Sequence, residues 1–379
     1  MSAIPLRLQL SRLLCCAALI CPLSVLTCAQ VVRNAAQARA VAARFAPIFY
    51  QGIGEDPRAD FITNFDFDGD WRGDNNWAHT ADARYPLRAY AYYAVSETRT
   101  HLFIHYALFH PRDYKGGATR GRILSDIINE GVHAGGDIVP NDIAMEATVA
   151  HENDMEGCLV VVEKEGNDLA NAQIIYVETL AHNRFQRYAA HATEGGPPTL
   201  VFEGYRPRLY VEPKGHGIED YAPVGEPFEE GNKKQYARKL LRYIYTGRAD
   251  APTANSETAN YDLLPILTTL WPRARKGVNE TYGAKTDYGR VTVSVALANG
   301  RAQTRTVNMG VLGSAFLGQV GGHNMARPPW GWFDVKERDA EAGAWFFDPA
   351  VTIKRHFKLG DDFSVAYTWQ PFLGVGATR

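Results

Sequence analysis

The residues with the clearest chemical potential stand in one heptapeptide, His151-Glu152-Asn153-Asp154-Met155-Glu156-Gly157. The apolar run 158–162 follows it and predicts a strand that is covered on both faces. Because side chains alternate along a strand, Asp154 and Glu156 are expected on the same face. Two carboxylates at the edge of a dry sheet repel each other, and burial adds a desolvation cost. A bound divalent cation would relieve both effects, and oxygen ligands favour magnesium or calcium.

The same heptapeptide has a second interpretation. It could be a solvated turn that leads into a strand, with its acidic side chains in water. It is not the helical zinc-protease motif HExxH, because Met155 stands where that motif requires a second histidine. The sequence alone leaves the cation site and the solvated turn both open.

Three further segments bring candidate side chains to strand ends. A predicted strand over 173–180 leads to His182, and another over 208–212 leads to His216. Loops at one rim of a β-sandwich are a common place for sites, although each histidine alone is more often structural. The loop 328–332 contains Trp330 and Trp332, which could stack on sugar rings or could equally clamp the edge of the core.

The positioning elements are predicted to be mainly strands. Aromatic and β-branched residues dominate 89–97 and 101–110, which is typical of strands, and 290–297 alternates in the same way. We predict an alanine-rich helix over 36–45 and a basic amphipathic helix over 232–246. The polar, glycine-rich stretch 114–150, with a short helix near 123–130, reads as an insertion that delivers the chain to His151.

Composition and the N-terminal segment limit the classes of protein to which the chain can belong. The chain has 379 residues, 46% of them hydrophobic, and a net charge of -2, which argues against a nucleic-acid binder. Arg7 and Arg12 flank the start of an apolar run, and small residues up to Ala29 fit a secretory signal over 1–29. We therefore expect a secreted or periplasmic protein without a transmembrane segment. Four of the five cysteines lie within 1–29, which leaves Cys158 as a buried strand residue.

The pattern His151-x-x-Asp154-x-Glu156 before an apolar strand resembles the heptapeptide of the necrosis- and ethylene-inducing-like (NPP1-like) proteins. The segment 106–113 is similar to that family's strand ending in Pro-Lys-Asp, and 177–182 to its strand ending in Ser-Ala-His. Gly215-His216 is similar to a Gly-Ser-His segment of the related Vps62-like proteins. The chain departs from the NPP1-like pattern at Met155, where that family has tryptophan, and in the long insertion 114–150.

The resemblance implies a β-sandwich, and we expect an antiparallel one with helical insertions and a C-terminal extension that has no counterpart in the compact members of that family. On this basis we expect the sandwich core over 30–222 and the extension over 223–379, packed on the same domain. It implies that a divalent cation is held by the side chains of Asp113, His151, Asp154 and Glu156. It also implies that His182 lines a cavity at the rim.

Three functions are compatible with these expectations. The first is a secreted, metal-bearing protein that binds carbohydrate or a glycolipid head group, which would include peripheral contact with a membrane. The second is a divalent-metal-dependent hydrolase that uses the same site, with His182 or His216 as acid or base. The third is a structural envelope protein in which the polar rim only holds loops together.

Overall fold

The fold is given by a computed structural model, which describes residues 30–54, 56–113, 151–166, 168–221, 239–274, 286–312, 327–337 and 343–376. The predicted signal over 1–29, the insertion 114–150 with its short helix, and most of the glycine-rich segment 310–322 lie outside these residues.

Strands make up most of the described structure. They are β1 Ile48–Ile53, β2 Tyr90–Thr98, β3 His101–Asp113, β4 His151–Glu165, β5 Asp168–Ala181, β6 Arg184–Ala189, β7 Phe202–Glu203, β8 Arg206–Val211, β9 Ile218–Asp220, β10 Lys239–Tyr245, β11 Thr258–Pro265, β12 Thr286–Asp287, β13 Arg290–Leu297, β14 Ala302–Asn308, β15 Val311–Leu312 and β16 Ala366–Trp369. The α-helices are α1 Ala35–Arg44, α2 Asn76–Ala81, α3 Leu270–Ala274, α4 Ala344–Phe347 and α5 Pro349–His356. Short 3-10 turns cover Pro329–Gly331 and Pro371–Leu373.

Fourteen of the strands in the described residues form one sheet, whose main path is β6-β5-β4-β3-β2-β11-β10-β1-β8-β7. The protein is therefore mainly β, as predicted. The sheet is mixed, because β1 pairs with β8 in parallel, and β11 pairs in parallel with both β10 and β2. The expectation of a purely antiparallel sandwich is not confirmed.

The antiparallel meander from β2 to β6 positions the heptapeptide. Strand β3 pairs with β4 along its length, from His101 opposite Glu163 to Asp113 opposite His151. The heptapeptide is therefore the first half of a long central strand and not a solvated turn. The apolar residues 158–162 are fully buried, as their sequence predicts, and Cys158 is a free, buried cysteine.

The C-terminal segment is part of the same sheet. Strands β10 and β11 lie between β1 and β2 in the strand order, so residues beyond 223 supply strands to the middle of the sheet. Helix α4 adds a buried aromatic layer that includes Trp345 and Phe347. The segment is thus integrated into the core and does more than pack against it.

The helix predicted over 232–246 is wrong over its described part. Residues 239–245 form strand β10, which pairs with β1 on one side and β11 on the other. The spacing of Leu240 and Ile244 suggested a helix, but Leu241 and Tyr243, two positions apart, are the residues buried in the core. Two strand partners satisfy the backbone of this segment, and this tertiary context overrides a weak local preference.

Candidate functional site

Acidic and imidazole side chains meet where β4 begins, close to the turns that follow β5 and β8. We call this set the rim site and define it by Asp60, His110, Asp154, Glu156, His182, Glu212 and His216. Of these residues, His110 and His216 are fully buried, whereas the side chain of His182 is 42% exposed. The site therefore runs from a dry interior to an opening at the surface.

The interior of the rim site is an Asp–His–Asp chain. His216 Nδ1 lies 2.8 Å from Asp154 Oδ2, and His216 Nε2 lies 3.5 Å from Asp60 Oδ1. Asp60 also accepts hydrogen bonds from the backbone N–H groups of Gly54 at 2.6 Å and Lys214 at 2.7 Å. Burial lowers the pKa of His216, but its hydrogen bond to Asp154 and the negative charges of Asp154 and Asp60 outweigh this effect and raise the pKa to about 9. The imidazole is therefore a cation at neutral pH.

His110 stacks on this cation and stays neutral. The two imidazole centroids are 3.7 Å apart and the rings are 3° from parallel. Burial, and then the charge of His216, hold the pKa of His110 well below its ordinary value. Gln51 fixes the tautomer: its amide nitrogen donates to the carbonyls of Gly52 and Glu212, so its oxygen accepts a hydrogen bond from His110 Nε2 at 3.0 Å.

Asp154 is the ionised carboxylate of the pair that the sequence singled out. Burial raises its pKa, but the hydrogen bond and charge of His216, and then the charges of His151 and His110, bring the pKa well below the ordinary value. Its second oxygen accepts the backbone N–H of Met155 at 2.8 Å. Asp154 is thus a permanent negative charge in dry surroundings.

Glu156 has the opposite protonation state to Asp154. Burial, and then the negative charge of Asp154, raise its pKa well above the ordinary value, although the charge of Arg327 and the N–H of His182 act in the other direction. Its Oε2 atom is buried and has no hydrogen-bond partner among the described residues. In the absence of a cation, burial and the charge of Asp154 favour the protonated Glu156 carboxyl over its charged form, because they outweigh the charge of Arg327.

The open end of the site is an imidazole–carboxylate pair. His182 Nε2 lies 2.8 Å from Glu212 Oε2. His182 and Asn183 form the two-residue turn between β5 and β6, with φ of 50° and 60°. Such hairpin turns favour Asn-Gly, so histidine at the first position is an uncommon choice that directs an imidazole to the opening.

Left-handed backbone is concentrated here. Among the described residues that are not glycine, the positive φ values belong to Asn153, His182, Asn183, Lys214, His216 and Lys358. Of these, only Lys358, after α5, lies away from the rim site. Residues held in this region carry a conformational cost, and such positions cluster at functional sites.

The four side chains expected to ligate a cation lie as two pairs. Asp113 Oδ2 and His151 Nε2 are 3.3 Å apart at the end of β4, and Asp154 and Glu156 follow on the strand. In the part of the chain that the structure describes, no three His, Cys, Asp or Glu side chains converge as a metal cluster. The cation site therefore stays a prediction; the described side chains form an ion pair between Asp113 and His151 and a charge-coupled pair of Asp154 and Glu156.

Trp330 and Trp332 do not face the opening. Their side chains are buried, at 0% and 1% exposure, so neither ring presents a face to a sugar. Trp332 Nε1 donates to the carbonyl of Met155 at 3.1 Å, and its ring covers Gly157, where a Cβ atom would come within 2.2 Å of it. The tryptophans therefore clamp the edge of the core, which was the other interpretation of this loop. Gly157 is required by the close approach of Trp332.

Sequence reasoning did not identify Asp60 or His110 as site residues. Asp60 lies in a loop that precedes the first strand of the meander, Tyr90–Thr98, and no local pattern links it to His216. His110 occupies a strand position that is also compatible with a core histidine. The register of β3 against β4, which places His110 opposite Asp154, is the signal that could have found it.

Comparison with known proteins gives structural similarity only. No family model and no curated protein matches the chain. A structure of NLPPya in complex with mannosamine is 15% identical with a TM-score of 0.27, over 50% of this chain and 69% of that one. Non-toxic HaNLP3 is 13% identical with a TM-score of 0.27, over 64% of this chain and 80% of that one. The necrosis and ethylene inducing protein 2 of the causal agent of cocoa's witches' broom disease is 14% identical with a TM-score of 0.26, over 48% and 67%. Similarity this low assigns neither an activity nor a ligand to the chain.

A search of the described helices found none that is both long and apolar enough to cross a membrane.

Proposed function

We propose that the rim site holds a divalent cation, with magnesium or calcium preferred, and binds carbohydrate or the sugar head group of a glycolipid. The observation that carries the proposal is the Glu156 carboxyl: in the described part of the chain its buried Oε2 has no hydrogen-bond partner, and its neighbour Asp154 is ionised. The protein would act outside the cell or in the periplasm, as the predicted signal over 1–29 suggests. Its contact with membranes would be peripheral.

The charge at this position fits a cation. Two carboxylates that share a dry edge are stable only if one holds a proton or if both face a positive ion. Asp154 and Glu156 would hold the ion, with Asp113 and His151 as the neighbouring donors. Hard cations prefer such oxygen ligands, and when bound, the ion would supply coordination positions that sugar hydroxyls can fill.

The open end of the site supplies hydrogen-bonding groups for a sugar. His182 and Glu212 offer an imidazole and a carboxylate at the surface, 2.8 Å apart. Lys214, on the neighbouring turn, is held in place because its N–H donates to Asp60. Closely spaced donors and acceptors on a rigid rim suit vicinal hydroxyl groups, because little ordering is needed on binding.

Sugar binding in the presence and absence of a chelator tests this proposal. Wild-type protein is titrated with glucosamine, mannosamine and a panel of neutral sugars, in calcium and then in EDTA, and its binding to glycolipid vesicles is measured by sedimentation. We expect binding that EDTA abolishes and that Asp154→Asn weakens by about tenfold or more. The control Asp361→Asn changes a carboxylate whose side chain is fully exposed and should have no effect. Binding that survives both EDTA and Asp154→Asn would contradict the proposal.

A metal-dependent hydrolase is the second candidate, and the His182–Glu212 pair favours it. A carboxylate that hydrogen-bonds an imidazole orients it as a general base, and this imidazole is open to solvent. A panel of phosphodiesters, esters and glycans distinguishes the two functions. Turnover that is lost in both Glu156→Gln and His182→Gln would establish hydrolysis, and binding without turnover would leave the carbohydrate-binding function.

A further inference from the structure

The strand that carries the rim site contains one residue in the left-handed conformation. Asn153 has a φ of 58°, although β4 pairs with β3 on both sides of it, with Glu152 opposite Arg112 and Asp154 opposite His110. Residues of an antiparallel strand have φ near -140°. Asparagine is one of the few residues other than glycine that tolerates positive φ.

Two residues of a preceding loop hold Asn153 in place. Its side chain is fully buried, its Nδ2 donates to the carbonyl of Gly73 at 2.9 Å, and its Oδ1 accepts from Asn76 Nδ2 at 2.7 Å. The neighbouring Glu152 accepts the backbone N–H of Trp77 at 2.6 Å. We call residues 73–77, which end in the first residues of α2, the clamp loop, since this segment fixes two consecutive residues of β4.

The clamp loop is itself fixed to β3. The Arg112 guanidinium lies 4.5 Å from the centre of the Trp77 ring and donates to the Trp77 carbonyl. Arg112 also pairs with Asp56 at 2.9 Å, and its side chain is only 9% exposed. A partly desolvated cation–π contact and a hydrogen bond therefore hold the loop against the sheet, and the ion pair with Asp56 fixes the guanidinium.

The left-handed residue changes which side chains share a face. In a regular strand, positions 151 and 154 point to opposite faces. Here His151 acts electrostatically on Asp154, and Asp154 also reaches His216. The left-handed residue Asn153 lies between these two positions and interrupts the regular alternation of faces.

We infer that Asn153 is a positioning residue, whose left-handed backbone, held by the clamp loop, places Asp154 on His216 and beside Glu156. The inference deepens the proposed function, because the same geometry would hold the cation. Its first consequence, the Asp154–His216 hydrogen bond, exists without a cation and can be tested separately.

The pair Asn153→Gly and Asn153→Ala separates backbone conformation from side-chain contacts. Glycine adopts positive φ freely, whereas alanine disfavours it. In chelator-treated protein, the NMR signal of the His216 Nδ1 proton that is bonded to Asp154 reports the position of Asp154. Calorimetry with calcium alone then reports the cation affinity.

We expect Asn153→Gly to keep the His216 signal. We expect Asn153→Ala to lose this signal and to bind calcium at least about tenfold more weakly than wild type. Lys358→Ala, at a left-handed residue away from the rim site, is the control and should change neither. If Asn153→Ala fails to fold, Asn153→Ser, which also disfavours positive φ, is judged by the same two readouts. A folded alanine variant, or Asn153→Ser in its place, that keeps both would overturn the inference. Loss of the signal in a protein whose wild type binds no calcium would uphold the inference and contradict the proposed function.

Discussion

Two regions of this protein bury carboxylates against histidine, and they differ in how completely the charges are matched. The first is the rim site around Asp154 and Glu156. The second, which we call the Glu178 cluster, joins β5 and β6 to the C-terminal segment. It consists of Glu178, Arg187, Glu337, Trp345, Arg355 and His356.

In the Glu178 cluster each carboxylate oxygen of Glu178 has a partner. One accepts from Trp345 Nε1 at 2.7 Å and the other lies 2.5 Å from His356 Nδ1. Glu337 lies 2.8 Å from the opposite nitrogen of the same imidazole and pairs with Arg187 at 2.5 Å. In the rim site, the Oε2 atom of Glu156 is buried and has no hydrogen-bond partner among the described residues. We interpret the paired carboxylate of Glu178 as structural, and the unmatched carboxyl of Glu156 as the place proposed for a ligand.

The largest expected effect is on stability at the Glu178 cluster. Glu178→Ala leaves the His356 imidazole and the Trp345 N–H buried without their acceptor, and should lower the free energy of unfolding by about 3–5 kcal/mol. Urea denaturation measures this change. Calcium affinity of the folded fraction should be unchanged, and a loss of affinity would break the distinction between the two regions.

A pH dependence should come from the rim site. The pKa of His216 in the folded protein, about 9, lies above its ordinary value of 6.5. Its contribution to the free energy of unfolding is therefore complete below pH 6.5 and is lost as the pH rises through 9. The pKa of Glu156 is also raised, so its ionisation likewise lowers the free energy of unfolding as the pH rises. The loss amounts to on the order of 3 kcal/mol.

Urea denaturation of chelator-treated protein at pH 6, 7.5 and 9.5 measures this loss. Asp154→Asn removes the charged partner of His216 and should flatten the dependence. A wild-type stability that does not fall over this range would show that the Asp154–His216 pair is not formed in solution.

A smaller effect is expected at Gly157, which separates the site from the apolar half of β4. A Cβ atom there would lie 2.2 Å from the Trp332 ring and 2.4 Å from the carbonyl of Tyr106, so Gly157→Ala should destabilise by roughly 1–3 kcal/mol. Thermal unfolding checks this value. Gly360→Ala, whose Cβ meets only the end of the Asp362 side chain, serves as the matched control and should have little effect. Equal effects at both glycines would contradict the clamp by Trp332.

Local patterns predicted the strands of the meander and the alanine-rich helix. The strand over 90–98 is rich in aromatic residues and is buried on both faces, whereas 290–297 alternates because every second residue at its start is buried. The strand over 239–245 was missed because its burial is set by β1 and β11, which no local pattern reveals. Parallel pairing of distant segments is equally invisible in a single stretch of sequence.

The candidate site was predictable in its acidic half. Asp154 and Glu156 alternate on a strand whose apolar continuation is evident, so their common face follows from the sequence. The roles of Asp60 and of Asn153 depend on contacts with loops far along the chain. The sequence of the loop 328–332 is compatible with tryptophans that bind a ligand or that pack on the core. The contact between Trp332 and the distant Gly157 decides for the core.

The most direct test of the account is calorimetric titration of chelator-treated protein with calcium and with magnesium, in wild type and in Glu156→Gln. Glutamine has the shape of the protonated carboxyl but cannot ionise, so it should preserve the fold while it removes a charged ligand. We predict that wild type binds one of these ions, that Glu156→Gln binds it about tenfold more weakly or worse, and that Asp361→Asn matches wild type. Equal affinity in wild type and Glu156→Gln, or no binding of either ion by wild type, would contradict the central claim.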